Sequence, residues 1–391
     1  MNHRRLLRLL ARSLTSVAGT EDDLCAFGYG TGRGNAKFEG TPRALFEWAW
    51  SNGLRAVWCD PGTTFGLPQE FDAQRRLRLK TPLGAFHASR AKVSVGAEDC
   101  GIPFDLLSRR TWVMQGFHGT PLKAIGRRST VSTLEEIRIV ERGDFFISSG
   151  PEYTRRFRMC FDIGVDRFLE VGNPRNDILA TCDASVTKEA QNRVRSWANI
   201  PDDETKVIVY APTWRPWGTE ILPFEDRDWQ KLDSFLEARD AVLVLKGHYR
   251  EAIAGESGHK RILSSASLPL EWDAQTWLIA ADVLITDFSS IFFDYLVLDR
   301  PIIYIPYDQM DYEQRIGFVV DPREDFAGPA VRTQIELLDA IEQALSEPIA
   351  HAARRAEVNR VHNSLEDGRS SARAGAKLSE LLSGPTRSVG Q

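Results

Sequence analysis

Residues 281–306, ADVLITDFSSIFFDYLVLDRPIIYIP, constrain the fold of this chain more than any other stretch. Val283-Leu284-Ile285 is a short apolar run of the kind a strand buried on both faces produces. Thr286-Asp287 ends it, and Phe288-Ser289-Ser290 leads into a helix with apolar Ile291, Phe292, Tyr295, Leu296 and Leu298 at helical spacing. Asp299-Arg300-Pro301 stops that helix, and a second apolar strand follows at 302–305. Two fully apolar strands joined by a helix belong in a parallel sheet covered on both faces, so the spacing predicts an α/β fold. Ser289 and Ser290 put two hydroxyls and backbone N–H groups at the helix start, which suits an anion. In an open α/β sheet that carboxyl end of a strand is where ligands lie. The competing reading is that the serines only cap the helix.

The same unit recurs along the chain. In the second half, a strand at 206–210 runs into Ala211-Pro212-Thr213-Trp214-Arg215, and a strand at 242–245 ends in Lys246-Gly247-His248-Tyr249. Three strand ends therefore deliver Thr213 and Arg215, Lys246 and His248, and Thr286, Asp287, Ser289 and Ser290 to one edge. That edge is cationic, bears a histidine and is rich in N–H donors, which suits a diphosphate. In the first half, strands are expected at 24–27, 55–59, 91–95, 111–117 and 145–149, with helices at 41–50 and 150–160. The Gly-rich 28–35, GYGTGRGN, lacks the dinucleotide spacing and reads as a loop. The strand at 111–117 feeds His118-Gly119-Thr120-Pro121-Leu122-Lys123. A histidine at a strand's carboxyl end is placed to take a proton from a hydroxyl, and Lys123 adds a positive charge about one turn on. The alternative is an ordinary loop histidine. Arg175 is a phosphate-binding candidate, and Asp177 is expected either to cap a helix or to orient His118. The polar, helical 181–205 reads as a linker between halves.

Composition bounds the function class. A chain of 391 residues predicts two domains, and 42% hydrophobic residues suffice for real cores. The net charge of -5 gives no case for nucleic-acid binding. The five cysteines, Cys25, Cys59, Cys100, Cys160 and Cys182, are odd in number and never spaced as CxxC. They imply a reducing compartment with neither a disulfide framework nor a zinc site. No acidic cluster calls for a metal. No apolar run approaches the roughly 20 residues of a membrane span. Residues 3–14, HRRLLRLLARSL, instead set Leu6, Leu7, Leu9, Leu10 and Leu14 opposite Arg4, Arg5, Arg8 and Arg12 on a helical wheel. That pattern suits a helix lying on an anionic membrane surface, and the basic run 75–80 adds to it; an ordinary docked surface helix has the same moment. The interrupting arginines argue against a signal peptide.

Several motifs occur together and in order: HGTPLKAIG at 118–126, GNPRND at 172–177, YAPTWR at 210–215, LKGH at 245–248, DVLITDFSSIFFDYLVLDRPIIYI at 282–305, AGPAVRT at 327–333 and HNSLEDGRSS at 362–371. On these the chain resembles the CDP-glycerol:poly(glycerophosphate) glycerophosphotransferase family, whose members make the linker and backbone of teichoic acids and related capsules. The resemblance implies a glycosyltransferase-B architecture of two Rossmann-like lobes facing a central cleft. The expected division is a membrane-surface helix at 1–20, an acceptor lobe at 21–185, a CDP-glycerol lobe at 186–383 whose C-terminal helices pack back, and a disordered tail at 384–391.

The resemblance also implies roles. His118 matches the general base and His248 the second essential histidine, on the pyrophosphate. Arg215, Ser289 and Ser290 match diphosphate and nucleotide contacts, and Gly119, Thr120, Lys123, Thr213, Lys246, Thr286 and Asp287 complete the substrate-binding set. An acceptor hydroxyl attacks the β-phosphorus of CDP-glycerol and displaces CMP, with no cofactor and no metal. The acceptor is a lipid-linked saccharide or polyol phosphate, met at the cytoplasmic face of the bacterial membrane. Phe117, after Gly116, stands where the family usually has Trp, which bears on the acceptor side. The chain lacks the extra N-terminal domain of the long polymerases, so addition of one or a few units is expected. CDP-ribitol remains open as donor. Two rivals are a nucleotide-sugar glycosyltransferase or epimerase on the same fold, and a non-catalytic membrane-peripheral member of a polymer-export assembly.

Overall fold

The structure is a computed structural model that describes residues 13, 18–30, 36–62, 64, 66–71, 74–200, 204–218, 220–246, 259–264 and 272–388. The amphipathic helix expected at 3–14 (Ser13 apart), residues 31–35 of the Gly-rich stretch, His248 and the last three residues of the tail lie outside them. Two compact units divide the chain: residues 1–118, 132–177 and 365–391 form the first, and 119–131 with 178–364 the second.

The first unit is built on a parallel sheet of strands β1 (Glu21–Phe27), β2 (Arg55–Asp60), β3 (Arg76–Arg78), β4 (Ala91–Gly96), β5 (Trp112–Gln115), β6 (Phe145–Ser148) and β7 (Phe168–Glu170). The spatial order is β3-β2-β1-β4-β5-β6-β7, and every pair is parallel. Successive residues of a strand point to opposite faces, which sorts the core into two layers. Phe27, Trp58, Val93 and Met114 pack with Phe46 of the helix Gly40–Ser51 and with Ala374 and Leu378 of the helix Ser370–Ser383. Ala26, Val57, Cys59 and Val113 pack with Ala85 and Ala88 of the helix Pro82–Ser89. Gly375 lets the helices at 40–51 and 370–383 touch, since a Cβ there would lie 2.3 Å from the Trp48 ring.

The second unit repeats the design with β8 (Lys206–Ala211), β9 (Ala241–Leu245), β10 (Ile262–Ser264), β11 (Val283–Thr286) and β12 (Ile302–Tyr304). These are parallel in the order β10-β9-β8-β11-β12. Val207 and Val209 join Trp277, Phe288 and Phe292 on one face, while Ile208 and Tyr210 join Leu232, Leu337 and Ile341 on the other. Each such large apolar side chain contributes about 1.5–3 kcal/mol when fully buried. In each sheet the chain fills one flank, then crosses the first strand to fill the other. The reversals fall between β1 and β4 and between β8 and β11, the places where α/β sheets bind ligands.

Three features differ from the sequence reading. Residues 184–198 are no linker: the helix Ala184–Ala198 is capped by Asp183, which accepts from the N–H groups of Ser185 and Val186, and its fully buried Val194 joins the core of the second unit. The basic run at 75–80 holds an edge strand, because Arg76 Nε bonds the buried Asp60 carboxylate at the end of β2 (2.9 Å). The chain passes into the second unit near residue 178, earlier than the expected boundary at 185–186, and the helix at 370–383, expected to pack back, is grouped with the first unit.

Candidate active site

In the first unit, β5 stops at Gln115, short of the expected end at 117, because Phe117 takes a left-handed φ of 32°. Gly116 sits where a Cβ would come within 2.5 Å of Thr41 Cγ2, so no larger residue fits. This sharp exit carries His118 to the carboxyl edge, where its side chain is 40% exposed and open to a solute. Phe117 stacks on the imidazole at 4.1 Å between centroids and is itself edge-on to Phe157. Nδ1 of His118 stands 3.0 Å from Oε1 of Glu98, and the Tyr29 hydroxyl donates to that same oxygen at 3.2 Å. Glu98 comes from the turn after β4 and Tyr29 from the loop after β1, on the two sides of the reversal point. Burial, then the Glu98 charge, hold the Tyr29 phenol well above its ordinary pKa, so it remains a donor.

Sequence reasoning missed both partners. The available signal was an acidic residue directly after a strand, Val95-Gly96-Ala97-Glu98, but nothing in the spacing joined it to His118. Asp177, expected to cap the helix that starts there or to orient His118, accepts the N–H groups of Ser370 (2.8 Å) and Ser371 (2.7 Å), at the start of the helix Ser370–Ser383. Arg175 is buried, and with the Asn173 amide oriented to donate to Thr41, its Nη1 and Nη2 lie 3.1 Å from the Asn173 oxygen.

The residues after His118 belong to the second unit. Gly119 has a φ of 136° and Thr120 is buried. Lys123 forms a bridge with Phe318, flanked by Val319 N–H to Leu122 O (2.8 Å) and Ala124 N–H to Gly317 O (2.9 Å). The motif is thus divided between the units at the 118–119 peptide.

At the carboxyl edge of the second sheet, Arg215 is fully buried. Its Nε and Nη2 donate to the two oxygens of Asp308 (2.5 and 2.6 Å), and Nη1 donates to Asp287 Oδ2 (2.8 Å) and Thr213 O (2.6 Å). Tyr307 and Tyr312 present their ring faces at 4.7 and 5.3 Å. Burial opposes the charge, but the bonds to Asp308 and the Asp287 carboxylate outweigh it and raise the guanidinium pKa. The sequence reading put Arg215 on the diphosphate; here its guanidinium is committed to two carboxylates. Asp287 is equally internal, with Oδ1 accepting from the N–H groups of Thr213 (2.8 Å) and Phe288 (2.6 Å). The Thr286 hydroxyl donates to Ala211 O (2.7 Å). Thr213, Thr286, Asp287 and Arg215 therefore build the edge. Asp308, which lies 93 residues from Arg215 in sequence, was not anticipated.

What the edge leaves outward is smaller. Ser289 and Ser290 are half-buried, and their hydroxyls make no hydrogen bond among the described residues. Ser290 occupies the N-cap position of the helix Ile291–Tyr295 without a side-chain cap bond, so the capping reading does not describe it. Lys246 is half-buried at the end of β9, its N–H on Tyr210 O (2.8 Å).

Two parallel sheets of Rossmann order, each carrying polar residues at the carboxyl edge beside its reversal point, define the glycosyltransferase-B fold class. The chain belongs to the CDP-glycerol:poly(glycerophosphate) glycerophosphotransferase family, which matches residues 35–379. The teichoic acid glycerol-phosphate transferase of Staphylococcus aureus strain NCTC 8325 is 32% identical over 286 residues, covering 68% of this chain and 70% of that one. A teichoic acid poly(glycerol phosphate) polymerase of Staphylococcus epidermidis is 30% identical over 262 residues, 60% of this chain but 35% of its own length. Among solved structures, the wall teichoic acid polymerase TagF superposes with a TM-score of 0.79 over 97% of this chain and 94% of that chain, at 23% identity, and so supports the fold.

Proposed function

We propose that the chain transfers glycerol phosphate from CDP-glycerol to a hydroxyl of a lipid-linked saccharide or polyol-phosphate acceptor, releasing CMP, in teichoic acid synthesis. The observation that carries the reading is the His118–Glu98 pair at the reversal point of the first sheet (3.0 Å), in a chain of the glycerophosphotransferase family. The acceptor hydroxyl gives its proton to His118 while its oxygen attacks the β-phosphorus. The bond from that phosphorus to the oxygen of CMP breaks, and CMP leaves with the electron pair. Such phosphoryl transfer depends on positioning and on neutralising charge. Lys246, His248, Ser289 and Ser290 are the residues for the diphosphate; Thr213, Thr286, Asp287 and Arg215 support them from behind, and Gly119, Thr120 and Lys123 complete the substrate set. The scheme requires no cofactor and no metal.

Among the described residues no helix is long and apolar enough to cross a membrane. The proposed location is peripheral, on the inner face of the bacterial membrane, with the basic residues 3–14 on an anionic leaflet. Vesicle co-sedimentation of the full chain with and without anionic lipid tests it.

The function test is CMP release from purified protein given CDP-glycerol or CDP-ribitol with a lipid-linked disaccharide. Acceptor-dependent CMP that vanishes in His118→Ala, while CDP-glycerol still binds, is the expected result. Release of a nucleoside diphosphate from a nucleotide sugar would overturn it in favour of a conventional transferase.

A further inference from the structure

The turn after β4 holds Glu98 against His118 and the Tyr29 hydroxyl. Glu98 and His118 are both partly exposed (29% and 40%), and an exposed charge pair contributes little to stability. Yet the backbone is strained at both ends of the contact. Glu98 has φ 62° and Phe117, directly before His118, has φ 32°, the left-handed region that L side chains disfavour. Strain of this kind persists where surrounding structure enforces it, and it clusters at working sites. The enforcement is visible: Asp99 Oδ1 accepts Gly101 N–H (2.9 Å) and Ser94 donates to Cys100 O (2.5 Å), closing the turn around Glu98.

We propose that Glu98 is the positioning residue of His118: its carboxylate accepts from Nδ1–H, which leaves Nε2 bare as the atom that receives the acceptor's proton. The inference rests on the reading of His118 as base. Three contacts divide the task. Phe117 fixes the plane of the ring by stacking, Glu98 selects the tautomer, and Tyr29, donating to the same Glu98 oxygen, fixes the carboxylate. When the proton moves from the hydroxyl to Nε2, the imidazolium forms beside the ionised Glu98. The carboxylate stabilises that cation and does not itself take the proton, as in the aspartate–histidine pair of serine proteases. Which nitrogen carries the proton is set by what the other one bonds.

The test combines a spectrum with kinetics on the full chain. Nitrogen-15 NMR of His118 in the wild type is expected to show the Nδ1–H tautomer, and Glu98→Ala a shift toward Nε2–H. Glu98→Ala is expected to lower kcat roughly 10- to 100-fold with KM little changed, well short of the ~10,000-fold known for a buried triad carboxylate because this pair is half-exposed. Glu98→Asp recovers part of the rate. Glu98→Asn, which tolerates a left-handed φ, separates loss of the carboxylate from loss of the turn, since it melts like the wild type but turns over slowly. In a His118→Ala background, Glu98→Ala costs nothing further. A folded Glu98→Asn with wild-type kcat, or an unchanged tautomer in Glu98→Ala, overturns the proposal. A fully active His118→Ala overturns the base assignment itself, so the two failures are told apart.

Discussion

Asp287 and Arg215 tie together the ends of two neighbouring strands. One carboxylate oxygen of Asp287 holds Nη1 of Arg215 at 2.8 Å, and the other holds the N–H of Thr213 at the exit of β8. Arg215 in turn reaches Asp308 beyond β12, so three loops at the carboxyl edge share one ion network.

Arg215→Ala leaves two carboxylates facing each other without their cation, and loss of one buried partner costs about 3–5 kcal/mol. That is a large part of a typical 5–15 kcal/mol fold. Urea or thermal unfolding is expected to show it, and nucleotide affinity should fall as the edge loosens. Unchanged stability with lost affinity would return Arg215 to the diphosphate.

Ser289→Ala and Ser290→Ala separate capping from binding. Neither hydroxyl caps the helix, so each change is expected to alter stability by less than about 0.5 kcal/mol. A hydrogen bond to a charged phosphate contributes about 1.5–3 kcal/mol, so calorimetry with CDP-glycerol should show affinity reduced roughly 10- to 100-fold. A lowered melting temperature with intact affinity reverses the assignment.

Asp60 sets an acid limit on the first unit. Burial raises its pKa, but its bonds to Thr64, Arg76 and the Gly62 N–H together lower it below the ordinary carboxylate value. A depressed carboxylate stabilises the fold above its unfolded value, about 3.9, and that stabilisation is lost as pH falls through the lower folded value. Wild-type stability, measured by urea titration at a series of pH values, should therefore drop below about pH 4, with Asp60→Asn less stable at neutrality and flatter across that range.

Gly116→Ala drives a methyl into Thr41, and overpacking of this kind costs about 1–3 kcal/mol. Thr41→Ser removes the nearer atom, Cγ2, but leaves Thr41 Cβ, which the new methyl would meet at 2.7 Å, so the double variant, followed by thermal melting, is expected to recover only part of the loss.

Strand by strand, much of the fold was legible, because buried parallel strands must be short and apolar and the turns after them polar. Arg76–Arg78 escaped notice because an edge strand needs no apolar pattern once its arginine has Asp60 to pair with. The helix Ala184–Ala198 looked like a linker because it is polar on all but a narrow face. Within the candidate site, the position of His118, Ser289 and Ser290 at a carboxyl edge was legible from their place after a strand. Glu98 and Asp308 were not, since each matters only through a partner that the sheet brings alongside. Arg215 shows the converse: its residue type suggested a phosphate, and only the geometry revealed the two aspartates that occupy it.

The helix Ser370–Ser383 supplies Ala374, Leu378 and Leu381 to the first unit's core, and Lys92 of β4 holds the carbonyls of Leu382 and Gly384 (2.7 Å each). Those residues are translated after every strand of the second unit. A nascent chain therefore carries the first sheet with one apolar face only partly covered, by the helix Gly40–Ser51, until synthesis has passed residue 384, which departs from the usual first-made, first-folded order. Completing the core of the unit that bears His118 thus waits on residues translated after the whole of the second unit.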